Sequence, residues 1–571
     1  MNSIQNNRRV TDNAAKRDSH AGLIFEKGVR QVKSYILSDI KPNLMGYHTK
    51  GYIHIHDLEG YGSTYNCLTL SVVESFPYEK LEHMSSTKKI LFILQYYQLL
   101  IGNIANEQTG GIAFANFDQE ISDIFTRLSI EANVHNLAIL QDCIDSFIYW
   151  INYSVTRNSR ECYYVSLNLG LSTTIVGRHV NKSVLGVYKD VSYIESVIRP
   201  NIIFKVHDKI NFYPESPNYD LLKLSMECTA KRMNPTYMLC SSSPYVDIDP
   251  RNLSIVGCRT RVITDLFGES TSIGRGNIAN ISINLPRIAL EVSSTSSEEE
   301  RYTRFKERWT EIADITKEIL LDRYQRTIAL HSQQFPANNE YQPWCVSFPG
   351  QASLEEVFKH GTLSIGFIGL SEAIEVLTGQ KYYGSDDNYQ TAIDFVTYMR
   401  NKINEYSRSE NLNMSLLATS GEHISSRFHD IDKQLYESSI FDKGYYTNSF
   451  HVEVDSRLHP FKKIMYECKF HNLCNGGSIT YVELGSAPLD NIEALYDIID
   501  YAHNAGIFYL GFNYPLDICR ECGTNGTFDT CSGCDSQNIM RIRRVSGYLE
   551  DLSYFGKGKT LEEKNRKVNP I

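Results

Sequence analysis

Four cysteines crowd into sixteen residues near the end of the chain, Cys519-Arg-Glu-Cys522 and Cys531-Ser-Gly-Cys534, two CxxC pairs separated by eight residues. Each pair fits on one tight turn, helped by Gly523 and Gly533, and two such knuckles can set four thiolates around one tetrahedral ion. Four sulfurs with no open position suit structural zinc; an iron–sulfur cluster is the other metal reading, and free thiols or two redox pairs the non-metal one. Thirteen residues past Cys534 stands Gly547, within Arg543-Arg544-Val545-Ser546-Gly547-Tyr548-Leu549. A glycine Cα lies between an amide nitrogen and a carbonyl and has no side chain to obstruct its flattening, so it can hold an unpaired electron. The same residue is equally at home in an ordinary turn. Nine other cysteines are scattered along the chain, and most read as small buried hydrophobes. His54 and His56 alternate on a strand-like run and share one face, but no third metal ligand is evident beside them.

These residues sit in a chain of 571 with 42% hydrophobic and 22% charged residues and a net charge of −10. The length allows one large catalytic domain with a smaller addition. The acidic balance argues against non-specific nucleic-acid binding, so an anionic substrate must be held by local groups such as helix N-termini or a few Arg and Lys. The polar start, MNSIQNNRRV, is not that of a signal peptide. The most apolar run, residues 90–104, is interrupted by Gln and Tyr and is short for a membrane span. A soluble, cytoplasmic protein is expected.

The elements that must position the candidates alternate along the chain. Helices are predicted from His20 to about Leu37, over 85–107 behind Ser85, Ser86 and Thr87, and from about Glu299 to Tyr324, where Phe305, Trp309, Ile312 and Ile319 recur at helical spacing. The Ser-Thr-Glu run at 293–300 reads as a surface loop leading into that last helix. Strand-like runs are 51–57, 280–290, 362–370 and 476–484. The alternation predicts an α/β architecture with at least partly parallel strands. No linker divides 20–510, which predicts one large domain over 1–516 and a small module over 517–571.

The arginine–valine–X–glycine–tyrosine–leucine run behind a CxxC…CxxC module resembles the radical loop of anaerobic (class III) ribonucleotide reductases. The resemblance runs through nearly the whole chain, in order: IHIHD (53–57), TYNCL (64–68), GGIAFANFD (110–118), ECTAKRM (227–233), GCRT (257–260), GRGN (274–277), INLPRIAL (283–290), LSIGFIGL (363–370), YTNSFHV (446–452) and GGSITYVEL (476–484). It implies a ten-stranded α/β barrel of the ribonucleotide reductase and glycyl-radical enzyme type, followed by a zinc ribbon formed by Cys519, Cys522, Cys531 and Cys534. Gly547 would store the radical and Cys258 would become the thiyl that takes hydrogen from C3′ of the ribose. Cys67, on the opposite face of the sugar, would protonate the departing 2′-hydroxyl. Asn277 matches the asparagine that replaces a glutamate base in formate-using members; an amide can hydrogen-bond the 3′-hydroxyl but cannot take its proton, which implies formate as reductant. Thr260, His54, Asn448 and Ser449 fall where substrate-pocket residues are expected. The family commonly has Cys where this chain has Ser546.

The same resemblance implies ribonucleoside triphosphates as substrates, deoxynucleotide and ATP effectors, a homodimer, and a separate radical-SAM activating enzyme, since the chain lacks a CxxxCxxC motif. Members often begin with an ATP-binding cone of about a hundred residues. Here IHIHD is reached by residue 53, so no cone, and no dATP shut-off through one, is expected. Two rivals are a lyase resembling pyruvate formate-lyase, whose adjacent cysteines this chain lacks, and a non-enzymatic zinc-ribbon protein, which would leave the other motifs unexplained.

Overall fold

The computed structural model describes residues 19–156, 162–190, 197–242, 245–294, 297–348, 353–544 and 546–570. The polar lead through Asp18, part of the 293–300 run and Val545 of the glycine motif lie outside the described residues.

Ten strands form the central sheet: β2 (Cys67–Leu70), β3 (Ile112–Phe114), β4 (Val165–Leu169), β5 (Asn201–Val206), β6 (Thr236–Leu239), β7 (Arg275–Asn284), β8 (Thr362–Ile368), β9 (Met414–Ala418), β10 (Thr480–Glu483) and β11 (Tyr509–Asn513). An eleventh, β1 (Ile53–Ile55), lies antiparallel on β7. The spatial order is β10-β11-β6-β5-β4-β3-β2-β7-β8-β9. β2 to β6 are mutually parallel, as are β7 to β9 and the pair β10 and β11. The sets meet antiparallel at β2–β7 and at β11–β6. The two end strands come together through the residues leading into β10: Gly476 N donates to Leu416 O at 2.8 Å and Ala418 N to Gly477 O at 3.0 Å. With both ends joined the sheet is a barrel. Its strands are buried nearly throughout, as expected where helices pack outside a parallel sheet.

The helices follow their sequence signals. Ser19 caps His20–Asp39, Ser85 caps Ser86–Ile104, and Ser297 caps Glu298–Ile328, whose Phe305, Trp309, Ile312 and Ile319 are fully buried. One run differs from its expectation. Residues 280–290 are not all strand: β7 ends at Asn284, whose side chain accepts from Arg287 N, and Leu285–Val292 is a helix with Pro286 in its first turn. The proline has no amide hydrogen to give a ladder but suits a helix start. Likewise β8 stops at Ile368, because Gly369 takes φ +78° and Leu370 opens the next helix.

The C-terminal part adds a four-stranded antiparallel sheet, ordered β13 (Asn525–Gly526), β12 (Leu516–Cys519), β14 (Ile539–Arg544), β15 (Leu549–Asp551). Gly547 lies in the turn joining β14 to β15, whose register pairs Arg544 with Leu549.

Candidate functional site

The segment joining β6 to β7 runs through the barrel. Its tip is a tight hairpin: Val256 and Thr260 exchange backbone hydrogen bonds of 3.0 and 3.2 Å, with Gly257, Cys258 and Arg259 at the turn and Gly257 at φ +63°. The finger is fastened on both sides. On β4, Asn168 donates to Ile255 O and accepts from Ile255 N; across the barrel, Arg261 N donates to Gly476 O at 3.0 Å. The Arg259 guanidinium, buried, reaches Ala418 O, His451 Nε2 and the Tyr481 hydroxyl. Because arginine only donates, Nε2 of His451 must accept, which leaves the proton on Nδ1; burial also depresses this imidazole's pKa.

The β14–β15 turn descends onto that tip. A Cβ placed on Gly547 would lie 1.7 Å from Cys258 O and 2.5 Å from Cys258 Cα, so any side chain there collides with the finger backbone. Ser546 Oγ lies 3.2 Å from Cys258 Sγ and 3.2 Å from Glu422 Oε1. The Tyr548 hydroxyl donates to the same carboxylate oxygen at 2.7 Å. Arg544 donates to Gly547 O at 3.0 Å and to Phe512 O, and the Tyr481 hydroxyl donates to Ser546 O. Arg259 and Tyr481 thus bridge the two loops.

A cavity of about 930 Å³, counted to its open mouth, lies beside this junction. Cys258 and Cys67 both line it, with Thr260, His54, His56, Asn280, Glu422 and Tyr548. Cys67 opens β2 and packs with Ala113 and Val256, the latter at the base of the finger tip. Burial raises the pKa of both thiols, that of Cys67 to about 12; at Cys258 the Glu422 charge adds to the effect, against a hydrogen bond from Ser546. Both therefore keep their S–H at neutral pH, the form required if a hydrogen atom rather than a proton is to move.

The register Cys67↔Asn277 between β2 and β7 puts those two side chains side by side on one face of the sheet. Asn277 Nδ2 donates to Thr362 Oγ1 at 3.1 Å and Ser364 Oγ at 2.7 Å, which fixes the amide's orientation. Its Oδ1, fully buried, has no hydrogen-bond partner among the described residues. Asn277 is not itself in the cavity lining, whereas Asn280 is. His54 and His56 do share a face, with ring centroids 4.8 Å apart, and His56 Nε2 meets Ser282 Oγ at 2.8 Å. Asn448 and Ser449 are not brought to this cavity. Asn448 Oδ1 instead accepts from Gly421 N at 3.0 Å and so holds the loop bearing Ser420 and Glu422. Sequence reading did not pick out Glu422, Arg259, Tyr481 or Tyr548 as site residues. Tyr548 carried a signal, being next to the glycine, as did Arg259, in GCRT, and Tyr481, in GGSITYVEL; Glu422 comes from a distant element without one.

The four sulfurs of Cys519, Cys522, Cys531 and Cys534 lie within 4.8 Å of one another, with Cys519–Cys534 and Cys522–Cys531 each at 3.5 Å. Tetrahedral zinc with bonds of about 2.3 Å needs sulfurs about 3.8 Å apart, so the set is compatible with zinc.

A closed ten-stranded barrel with an internal finger loop, and a glycine loop laid on that finger, is the α/β barrel of the ribonucleotide reductase and glycyl-radical enzyme type. The model of the family "Anaerobic ribonucleoside-triphosphate reductase" matches residues 12–568, and the chain belongs to that family. It is 28% identical to the anaerobic ribonucleoside-triphosphate reductase of Escherichia coli K12, over 96% of this chain and 81% of the relative, and 27% identical to that of Enterobacteria phage T4, over 96% and 94%. Among solved structures it is similar to the anaerobic ribonucleotide reductase of Thermotoga maritima in complex with dATP and CTP, with a TM-score of 0.70 and 13% identity over 96% of this chain and 92% of that one. Family membership decides against both rivals, and it implies a glycyl radical.

Proposed function

We propose that this chain reduces ribonucleoside triphosphates at the Cys67–Cys258 cavity, with Gly547 as the stored radical and formate as the reductant. The observation that carries the reading is the packing of the Gly547 backbone against the Cys258 backbone while Cys258 and Cys67 line one cavity.

Gly547 gives up an α-hydrogen atom to a separate radical-SAM activating enzyme. For turnover, the Cys258 sulfur gives its hydrogen atom back to the Gly547 carbon; a bond to hydrogen breaks at sulfur and forms at carbon, leaving a thiyl on Cys258. The two bonds are close in strength, so the transfer needs proximity more than driving force. Tyr481, Arg544 and Arg259 supply that proximity by fixing both loops. The thiyl takes hydrogen from C3′ of a ribose held between the thiols, and Cys67 protonates the departing 2′-hydroxyl. Asn277, behind the cavity lining beside Cys67, would accept from the 3′-hydroxyl only once substrate binding uncovers its Oδ1; Thr260 and His54 border the sugar, and Asn448 supports the 420s loop. An asparagine amide cannot serve as a base here, which supports formate, oxidised to carbon dioxide, as the electron source. Zinc, when bound by the four cysteines, locks the knuckles that carry β12 and β14 and so shapes the glycine turn.

The proposal extends to a homodimer under deoxynucleotide and ATP control, a large domain over 1–516 with a module over 517–571, and a cytoplasmic setting. No described helix is long and apolar enough to cross a membrane. The test is anaerobic activation, electron paramagnetic resonance, then CTP reduction with and without formate. A glycyl doublet and formate-dependent dCTP are expected. A doublet with undiminished dCTP in formate-free, thioredoxin-supplied assays would overturn the choice of reductant; no doublet would overturn the radical site.

A further inference from the structure

The two residues that flank Gly547 reach the same carboxylate oxygen. Ser546 Oγ lies 3.2 Å from Glu422 Oε1, and the Tyr548 hydroxyl donates to that oxygen at 2.7 Å. Glu422 stands in the loop between β9 and the helix Ile424–Asp432. That loop is fixed from behind. Gly421 N donates to Asn448 Oδ1 at 3.0 Å, and a Cβ on Gly421 would lie 2.3 Å from the same oxygen. Glu422 is buried and lines the cavity beside Cys258 and Tyr548, whereas Ser546 does not line it. One side chain on a fixed loop therefore borders the cavity and holds both neighbours of the glycine.

Ser546 has one hydroxyl hydrogen and two neighbours that could take it, Glu422 Oε1 and Cys258 Sγ, each at 3.2 Å. A carboxylate only accepts, and its charged oxygen is a stronger acceptor than a thiol sulfur. The hydroxyl hydrogen therefore goes to Glu422, and Ser546 Oγ is left to accept from the Cys258 S–H. Ser420, on the Glu422 loop, gives the sulfur a further hydrogen bond, so the thiol keeps its own hydrogen to donate. The hydrogen bonds then run one way, from Cys258 through Ser546 to Glu422. The thiol hydrogen points at the residue joined to Gly547. Without the carboxylate, the Ser546 hydroxyl can turn its hydrogen onto the sulfur and drive the thiol hydrogen away from the turn.

We infer that Glu422 is a positioning residue for hydrogen transfer between Cys258 and Gly547: it holds both flanks of the glycine turn and, through Ser546, aims the Cys258 hydrogen at it. The inference rests on the reading of Gly547 as the radical store and Cys258 as the thiyl. It also gives Ser546 a use of its own. A thiol at that position is only a weak donor and would not hold this direction of hydrogen bonding.

The test has two arms, both on the full chain. The first needs no radical. Amide hydrogen exchange of peptides covering 544–551 in the non-activated protein should be about tenfold faster in Glu422→Met than in the wild type, with peptides of the helix Glu298–Ile328 unchanged. The second arm activates each variant anaerobically and divides CTP turnover by the glycyl spin count. Ser546→Ala should keep its KM for CTP within about twofold and lose about tenfold in turnover per radical, because misplacing a reacting atom costs rate rather than binding. Glu422→Gln keeps the shape but accepts less strongly. It should lose about tenfold per radical in the wild-type background and about threefold or less on top of Ser546→Ala, because it acts through that hydroxyl. Unchanged exchange over 544–551 in Glu422→Met, or losses from Glu422→Gln and Ser546→Ala that simply multiply, would overturn the positioning role while leaving the radical site standing. No doublet in the wild type would instead strike the radical reading itself, and this inference with it.

Discussion

At the scale of single residues, the junction between two loops makes sharp demands. Replacing Gly547 with alanine places a methyl 1.7 Å from Cys258 O, so the turn must lift off the finger. The Gly547→Ala variant should keep its zinc content and its fold while showing no glycyl doublet after activation, as read by metal analysis, circular dichroism and electron paramagnetic resonance. Cys258→Ser should load the radical to near wild-type levels and lose turnover to background, because a hydroxyl hydrogen is far harder to abstract than a thiol one; dCTP formation above background would refute the thiyl assignment. The thiols also make a pH prediction. With its pKa raised to about 12, Cys67 is S–H below that pH and ionises only as pH climbs through it. Alkylation goes through the thiolate, so at pH 8 iodoacetamide should modify Cys67 about a thousandfold more slowly than an ordinary thiol with pKa about 8.5. Rapid labelling of Cys67 in the folded protein, followed by peptide mass spectrometry, would contradict its burial.

At the scale of elements, the small sheet connects the four-sulfur set to the glycine turn. β12 carries Cys519, β14 leads into the glycine turn, and the two are paired over Leu516–Cys519. Arg543 on β14 adds a buried pairing with Asp517 at 2.9 Å. Stripping the metal frees four thiolates that must then repel or oxidise, and small metal-held folds lose their structure with the ion. Removal of zinc by chelation should abolish radical loading while the barrel's main unfolding transition persists, as seen in calorimetry of the apo and reconstituted protein. Loss of the main transition would mean that the sheet supports the barrel rather than the turn.

At the scale of the whole molecule, the barrel encloses the junction where the proposed radical would rest. Its strands are closed on one another, and the finger and glycine turn meet inside. Air exposure of a radical-loaded sample should cut the backbone at Gly547 and release a C-terminal fragment of about 25 residues, since only glycine offers an unshielded backbone carbon radical. Mass spectrometry of the exposed protein should show the shortened chain in proportion to the radical content measured beforehand, and an intact chain from a fully loaded sample would count against Gly547.

The sequence by itself determined the parts whose chemistry is local. The Cys519–Cys534 spacing makes a four-sulfur set because two short turns suffice to bring it together. The helix Glu298–Ile328 and its cap follow from apolar spacing and Ser297, and the order of motifs carried the family and its barrel. The fold decided what depends on contact between distant residues. Glu422 meets Ser546 and Tyr548 across more than a hundred positions and stands in no motif that marks it, and Tyr481, though it stands in GGSITYVEL, shows only in the fold that it bridges the finger and the glycine turn. Asn448 lay in a motif, but only the packing of its loop sends its oxygen to Gly421 rather than to the cavity. Strand pairing set Asn277 beside Cys67, a register that no local pattern encodes because it depends on which edges meet when the barrel closes.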